Sequence, residues 1–336
     1  MTERTAFVTG ATGFLGLHMV EQLLLAGFRV TALHRASSEL RFLSRFVDGN
    51  ALTLAVGDIT ERESLVRAMP EGCDGVFHVA ANTNFWRGGN ARQTLENVEG
   101  TRNVVEAALT KKARRLVLTS SCSVYGGQPV LPFDESVPQL GGSSRVNYER
   151  TKYLSEVEAR AGIARGLDAV ILNPTKILGK YDRTSWGRMI LAVDAGMLPG
   201  VPPGKASFCS AVEVAKAHIA ALERGKSGEN YLLGGTDATY VEFVRLAGEL
   251  TGKKVPKHAT PLWLMWPVAV TLDLAARVTK RAPVLTPESL ISLGHSPLVR
   301  GEKATRELGY QAVPLETMVR ACYEWLVAEG ILPRRA

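Results

Sequence analysis

Cysteine is scarce in this chain, and no two cysteines stand close together. Among 336 residues only Cys73, Cys122, Cys209 and Cys322 occur, and they form no C-x-x-C unit. That spacing excludes a zinc ribbon or a disulfide framework and points to reduced, buried thiols. Long hydrophobic runs are also missing. The most apolar stretch, Pro261 to Val270 with Trp263, Met265 and Trp266, is too short to cross a bilayer, and Asp273 and Arg277 follow it. A buried or substrate-facing helix is the expectation there, with peripheral membrane contact as the alternative. The chain enters a strand pattern at once, so no signal peptide is expected and a cytoplasmic location is. His18, His78, His218, His258 and His295 lack metal-ligand spacing, so they read as structural and no metal is expected. Charge of one sign is not concentrated either. The 40 basic and 33 acidic residues leave a net charge of +7, but the bases are scattered. Their densest cluster, Lys111-Lys112-Ala113-Arg114-Arg115, falls between a helix pattern and a strand pattern and reads as a solvated turn. Nucleic acid is therefore not an expected partner.

What is present is a glycine turn near the start. Thr9-Gly10-Ala11-Thr12-Gly13-Phe14-Leu15-Gly16 follows the apolar run Ala6-Phe7-Val8 and precedes Leu17, Val20, Leu23 and Leu24 at helical spacing. Strand, glycine turn and helix in that order form a dinucleotide-binding context. The glycines let the backbone turn tightly beside a pyrophosphate, and the helix N-terminus offers free N–H groups and partial positive charge. Strand patterns at Thr5–Thr9, Arg29–Leu33, Leu52–Val56, Gly75–Val79, Arg115–Ser120 and Ala169–Leu172 alternate with helix patterns at Phe14–Ala26, Arg62–Met69, Thr94–Leu109 and Val146–Arg165. This alternation predicts an α/β fold, a doubly wound parallel sheet with helices on both faces. Beyond Pro174 the pattern changes. Pro199, Pro202, Pro203 and Gly204 mark a long loop, a helix pattern covers Val212–Glu223, and Tyr231-Leu232-Leu233 is a short apolar run. The remainder lacks strand alternation and reads as helices separated by prolines. The predicted organisation is a Rossmann domain over 1–175 with 207–236, and a smaller, mostly helical substrate lobe over 176–206 with 237–336.

The strand ending in Thr119-Ser120-Ser121 reaches the carboxyl edge, where open α/β sheets bind ligands. Tyr148-Glu149-Arg150-Thr151-Lys152 then places a phenol and an ammonium one helical turn apart. An ammonium nearby favours tyrosinate, and lowering a phenol from about 10 to near 7 takes about 4 kcal/mol. A tyrosine tuned in this way exchanges protons at neutral pH, and a hydroxyl from Ser121 holds the substrate oxygen beside it.

In these segments the sequence resembles the extended short-chain dehydrogenase/reductase family. The resemblance rests on the glycine turn and on Gly57-Asp58-Ile59, Val76-Phe77-His78-Val79-Ala80-Ala81, Asn97-Val98-Glu99-Gly100-Thr101-Arg102-Asn103, Leu118 to Gly126, Tyr148 with Lys152, Leu172-Asn173-Pro174, and Lys303 to Tyr310. It implies that Tyr148 is the general acid/base and that Ser121 orients the substrate oxygen. Lys152 would lower the Tyr148 pKa and bind the ribose. Ser121 is chosen over Ser120 by its offset before Tyr125. Asn97 is expected to be structural. The implied cofactor set is Gly10, Thr12, Gly13, Phe14, Leu15, Gly16, Arg35, Ser38, Asp58, Ile59, Val79, Ala80, Ala81, Thr119, Tyr148, Lys152, Asn173 and Pro174. A homodimer through the helices Thr94–Leu109 and Val146–Arg165 is a further family-level expectation.

No acid stands at the end of the second strand pattern, Leu33-His34-Arg35-Ala36-Ser37-Ser38, where an NAD enzyme binds the ribose 2′-hydroxyl. Arg35 with Ser37 or Ser38 suits a 2′-phosphate, so NADP(H) is expected over NAD(H). Asp58 is expected by the adenine, or else as a helix cap. The segment from His34 and the pair Phe85-Trp86 resemble the dihydroflavonol-reductase-like branch, which reduces ketones or aldehydes. Phe85, Trp86, Ser123 and Trp186 are the expected substrate-side residues, with Met189, Trp263 and Trp266 as further apolar candidates. The alternative is a sugar-nucleotide epimerase or dehydratase. Against it, Phe208-Cys209-Ser210-Ala211-Val212-Glu213 carries Val212 where many of those enzymes carry an acid. A non-catalytic dinucleotide-binding sensor or assembly subunit is a third reading, opposed by the intact Ser121, Tyr148 and Lys152.

Overall fold

The computed structural model describes residues 3–47, 49–198, 200–279, 282–295 and 297–333, so Pro199 lies outside the described residues. A seven-stranded sheet is built from β1 (Thr5–Thr9), β2 (Arg29–His34), β3 (Leu52–Val56), β4 (Gly75–His78), β5 (Leu116–Thr119), β6 (Ala169–Pro174) and, after two further strands, β9 (Asn230–Leu233). Its order is β3-β2-β1-β4-β5-β6-β9, and every pairing is parallel. The strands match the sequence expectation to within two residues at each end. Their alternation is hidden because both faces are buried. In β1, Ala6 and Val8 join one apolar cluster while Phe7 joins the other. Val76 and Phe77 in β4, and Leu116 and Val117 in β5, divide the same way. A parallel sheet covered on both sides therefore reads as a continuous apolar run.

Helices α1 (Phe14–Leu25) and α7 (Ala211–Arg224) pack together on one face. On the other lie α2 (Arg62–Ala68), α3 (Asn90–Thr94), α4 (Gly100–Thr110) and α5 (Asn147–Ile163). The sequence pattern predicts one helix over Thr94–Leu109. Instead a π turn at Leu95–Glu99 joins α3 to α4. The Asn97 carbonyl there accepts from the hydroxyls of Thr101 at 2.6 Å and Ser155 at 2.7 Å, which widens the helix locally. Arg115 is not a solvated turn residue. Its guanidinium donates to the carbonyls of Ala221, Leu222 and Gly225 and so caps α7.

Beyond β6 the chain is mostly helical, as expected, but it also carries short strands that the sequence pattern does not reveal. β7 (Lys176–Leu178), β8 (Lys205–Ser210) and β10 (Thr236–Thr239) form a second sheet in the order β10-β8-β7. These strands are three to six residues long, and β8 is buried on both faces after Lys205, so no alternation marks it. The helices of this half are α6 (Gly187–Asp194), α8 (Tyr240–Thr251), α9 (Leu262–Thr279), α10 (Pro287–Gly294), α11 (Glu302–Leu308) and α12 (Leu315–Ala328). The apolar stretch from Pro261 to Val270 continues into a longer helix than its composition suggests. α9 has 18 residues and, by length and composition alone, could cross one. Asp273 does not end it, because Arg277 one turn on pairs with its carboxylate at 3.2 Å.

Candidate active site

In the large sheet the strand order reverses between β1 and β4, and ligands of such sheets bind outside the strand ends at that point. A cleft of about 870 Å³ opens there. The glycine turn forms its floor, with each glycine in a different role. Gly10 has φ +71°, and a Cβ on it would lie 2.7 Å from Ala80. At Gly16 a Cβ would meet the Gly10 carbonyl oxygen at 1.9 Å, so this glycine lets α1 sit against the turn. Gly13 is the N-cap, with only the Gly10 oxygen close to where a Cβ would be. No side chain caps α1, and no acid stands in its first turn. This bare N-terminus faces the cleft and fits a dinucleotide diphosphate.

Of the expected cofactor residues, all line the cleft except Asn173. Asn173 is corrected. Its amide is buried beneath the floor and donates to the Ser121 carbonyl at 3.1 Å and to Glu156 at 2.6 Å. At the ribose end, Arg35 and Ser38 close a small turn in which the Arg35 N–H donates to the Ser38 hydroxyl at 3.1 Å. The Arg35 guanidinium stands 3.8 Å from Glu96, which also pairs with Arg92 at 2.8 Å. Asp58 does not cap α2, whose N-cap is Glu61. It accepts from the N–H and hydroxyl of Thr60, both at 2.9 Å, and lines the cleft beside Ile59.

The catalytic candidates Ser121, Tyr148 and Lys152 line the same cleft. Tyr148 and Lys152 project from α5, and Ser121 caps the short turn after β5, accepting the Ser123 N–H at 3.1 Å. The expected tyrosine pKa near 7 is corrected. Burial pushes the Tyr148 phenol up to about 12, against the opposing pull of a hydrogen bond with Ser121. Lys152 is directed elsewhere, donating to the Thr119 carbonyl at 2.7 Å. Burial lowers its pKa to about 8, and the charge of Glu156 resists that shift. Glu156, one turn further along α5, is a residue the sequence reading missed. Ser120, Asn173, Gln139, Asn230 and Arg160 all donate to its buried carboxylate. The only sequence signal is its spacing, a third polar residue in register with Tyr148 and Lys152. Asn97 locks the loop after β4 by accepting the Asn82 N–H at 2.7 Å and donating to Thr151 at 3.0 Å. His78 lies between Thr9 and Thr101, and burial lowers its pKa to about 3. His18 and His218 are lowered to about 4 by burial, so these three rings are neutral structural groups.

Of the residues expected to face substrate, Phe85 packs 5.2 Å from the Tyr148 ring, and Ser123 and Trp186 line the cleft. Trp186 is held by Tyr240, Phe208 and Phe243. Trp86 is corrected. It does not line the cleft, and its indole lies over Gly88 instead. Met189, Trp263 and Trp266 also lie outside it. The sequence reading missed Lys176 and Arg188, which do line it. Burial depresses the Lys176 pKa, and its ammonium sits 5.9 Å from the Trp186 ring without a hydrogen bond or ion pair among the described residues.

Comparison with known proteins agrees with this geometry. Residues 6–234 match the NAD dependent epimerase/dehydratase family. The chain belongs to this family. "Sterol demethylase protein B" of Methylococcus capsulatus is 32% identical over 98% of this chain and 100% of its own length. "Putative dihydroflavonol 4-reductase" of Synechocystis sp. is 30% identical over 96% of this chain and 95% of its own. The crystal structure of gox2253 superposes with a TM-score of 0.82 at 31% identity, covering 98% of this chain and 99% of that one. This family member is an NAD(P)-dependent enzyme of the extended short-chain dehydrogenase/reductase superfamily.

Proposed function

We propose that the protein reduces an apolar ketone or aldehyde to an alcohol with NADP(H). The observation that carries this reading is the make-up of the cleft beyond Tyr148. Phe85, Ile177, Trp186, Pro283 and Val284 line the same cleft as Tyr148, and Phe85 packs on its ring. Relatives named for a sterol and a dihydroflavonol support a ring-shaped apolar substrate. When bound, the dinucleotide supplies the hydride. Tyr148 delivers its proton to the carbonyl oxygen, Ser121 holds that oxygen, and Lys152 balances the negative charge left on the phenol. Because burial keeps the phenol up at about 12, Tyr148 carries the proton that reduction requires.

Arg35 and Ser38 support NADP(H). Their turn offers a guanidinium and a hydroxyl to a 2′-phosphate, and no acid of β2 repels it. Fluorescence titration should show NADPH binding more tightly than NADH. Arg35→Asp should weaken NADPH by about 2–3 kcal/mol and leave NADH nearly unchanged. Equal affinities in the unaltered protein would refute the preference.

The buried Lys152 makes the reduction pH-sensitive. Its folded pKa, about 8, lies below the usual lysine value, so its positive charge is present at lower pH and lost as pH rises through about 8. Reduction should therefore slow on the alkaline side. Glu156→Gln removes the charge that holds the Lys152 proton, so this alkaline limb should move to lower pH. A limb that stays in place while the variant remains folded would show that Lys152 does not govern it.

A second reading has its own support. Lys176 and Arg188 provide cations on the substrate side, as the diphosphate of a sugar nucleotide requires. A panel of carbonyls and sugar nucleotides, followed by mass spectrometry and NADPH absorbance, separates the two. Stoichiometric NADPH consumption with an apolar carbonyl supports reduction. Isomerisation of a sugar nucleotide without net cofactor consumption supports the alternative.

A further inference from the structure

Helix α9 breaks the usual rule for a surface helix, which is polar where it faces water. Its core contacts are narrow. Met265 and Ala269 are buried, Leu272 is half-buried, and all three pack against Leu285 and Leu290 in a small cluster apart from the main core. Ala276 continues this buried stripe at helical spacing. Directly opposite it, the same spacing places Trp263, Pro267, Val270, Leu274 and Val278. Trp263 is 73% exposed, Leu274 53% and Val278 84%, and Trp266, Leu264 and Val268 widen the exposed apolar face. Exposed apolar residues scattered singly need no explanation, but a continuous helical face of them marks a contact surface.

The surrounding charge identifies what the surface contacts. Between Lys253 and Arg281 the sequence contains Lys253, Lys254, Lys257, Arg277, Lys280 and Arg281 against a single acid, Asp273. Asp273 is buried and paired with Arg277. Lys253, Lys254 and Lys257 are exposed and form no ion pair among the described residues. Lys280 and Arg281 lie outside the described residues and enter here by sequence only. An apolar helix face with two tryptophans and cations at both ends complements an anionic lipid surface. A helix spanning the bilayer would instead have lipid on every side, and α9 has one side packed on α10.

This helix also leads into the active-site rim. Ala282, Pro283 and Val284, just after it, line the cleft, as do Thr286 and Ser289 at the start of α10. Thr286 caps α10 and donates its hydroxyl to the Phe85 carbonyl at 2.8 Å, and Arg87 pairs with Glu288 at 3.1 Å. The α9–α10 unit is thus tied to the loop that bears Phe85.

We propose that α9 docks in the headgroup region of an anionic bilayer, with Trp263, Val270, Leu274 and Val278 inserted, so that the cleft rim rests against lipid. The substrate is then an apolar carbonyl compound dissolved in the membrane, a clause that rests on the reductase reading; the docking does not. The test uses the full-length protein and vesicles of phosphatidylcholine with or without phosphatidylglycerol, separated by flotation at low and high salt. The unaltered chain should float with anionic vesicles, and high salt or neutral vesicles should release most of it. Alkaline carbonate should strip it from the vesicles. Leu274→Glu with Val278→Glu should reduce the floating fraction at least tenfold while retaining NADPH binding. Failure to float at low salt, or equal flotation of the double variant, would overturn the proposal. Resistance to carbonate would overturn it in favour of a spanning helix. If sedimentation without lipid shows a dimer that the double variant dissociates, the face is a contact between copies and the proposal fails. None of these readouts needs a substrate, so a failed carbonyl panel leaves docking intact, and a failed flotation leaves the reductase reading intact.

Discussion

Tyr148→Phe should lower kcat by about 10²–10⁴-fold while leaving the dissociation constant for the dinucleotide nearly unchanged. The substitution keeps the aromatic ring and its packing 5.2 Å from Phe85. It removes the hydroxyl and the bond that hydroxyl shares with Ser121. The glycine turn, the bare α1 N-terminus and the Arg35–Ser38 turn are untouched, so binding should persist. The loss should therefore appear in the chemical step. Single-turnover mixing of the cofactor-loaded variant with a verified carbonyl substrate reads that step directly. Ser121→Ala should have a smaller effect, because the proton donor remains and only the oxygen's holding partner is lost. A Tyr148→Phe variant with near-normal single-turnover rates would show that another group delivers the proton. Lys176, which also lines the cleft, would then be the first residue to replace.

The parts of the site legible in the sequence are those carried by local spacing. A glycine turn between a strand and a helix, or Tyr148 and Lys152 one turn apart, can be read because neighbours in the sequence remain neighbours in space. The misassignments arose where adjacent residues face opposite ways. Asn173 and Pro174 end the same strand, yet Pro174 lines the cleft while Asn173 binds Glu156 beneath it. Phe85 and Trp86 part in the same manner, one toward Tyr148 and one over Gly88. The second sheet is hidden in the sequence because β7 and β10 are only three and four residues long and β8 is buried on both faces after Lys205. Lys176, Arg188 and Glu96 reach the cleft from elements distant in the sequence, and only the folded topology brings them together. The tyrosine pKa is hidden in the sequence for a related reason. Spacing on a helix reveals that an ammonium is nearby, but not that burial outweighs it or that the Thr119 carbonyl takes the ammonium's hydrogen bond.

Gly16→Ala should abolish dinucleotide binding and also destabilise the fold, whereas Gly13→Ala should abolish binding at little cost in stability. The two glycines lie three residues apart in one motif, but their surroundings differ. A methyl group on Gly16 would stand 1.9 Å from the Gly10 carbonyl oxygen and 2.8 Å from the Ala11 Cα. Both are backbone atoms, so no side chain can swing aside. Either α1 must move away from the β1 turn or the turn itself must open. Gly10 cannot shift freely, because it is pressed against Ala80 at the end of β4. The strain should therefore spread into the contact between β1 and β4 and cost about 1–3 kcal/mol or more, as overpacking of a tight core does. At Gly13 the added methyl would have only the Gly10 oxygen near it, at 3.2 Å, and would stand at the helix N-terminus where the diphosphate is to lie. That contact asks the Gly10 oxygen to yield by only a few tenths of an ångström, far less than the Gly16 methyl demands, but a phosphate beside those N–H groups would meet the methyl directly. Thermal melting with NADPH titration distinguishes the outcomes: a strongly lowered Tm with no binding for Gly16→Ala, and at most a slightly lowered Tm with no binding for Gly13→Ala. If Gly13→Ala bound NADPH normally, the diphosphate would not sit on the α1 N-terminus. If Gly16→Ala melted like the unaltered protein, the turn would be looser than its backbone contacts require.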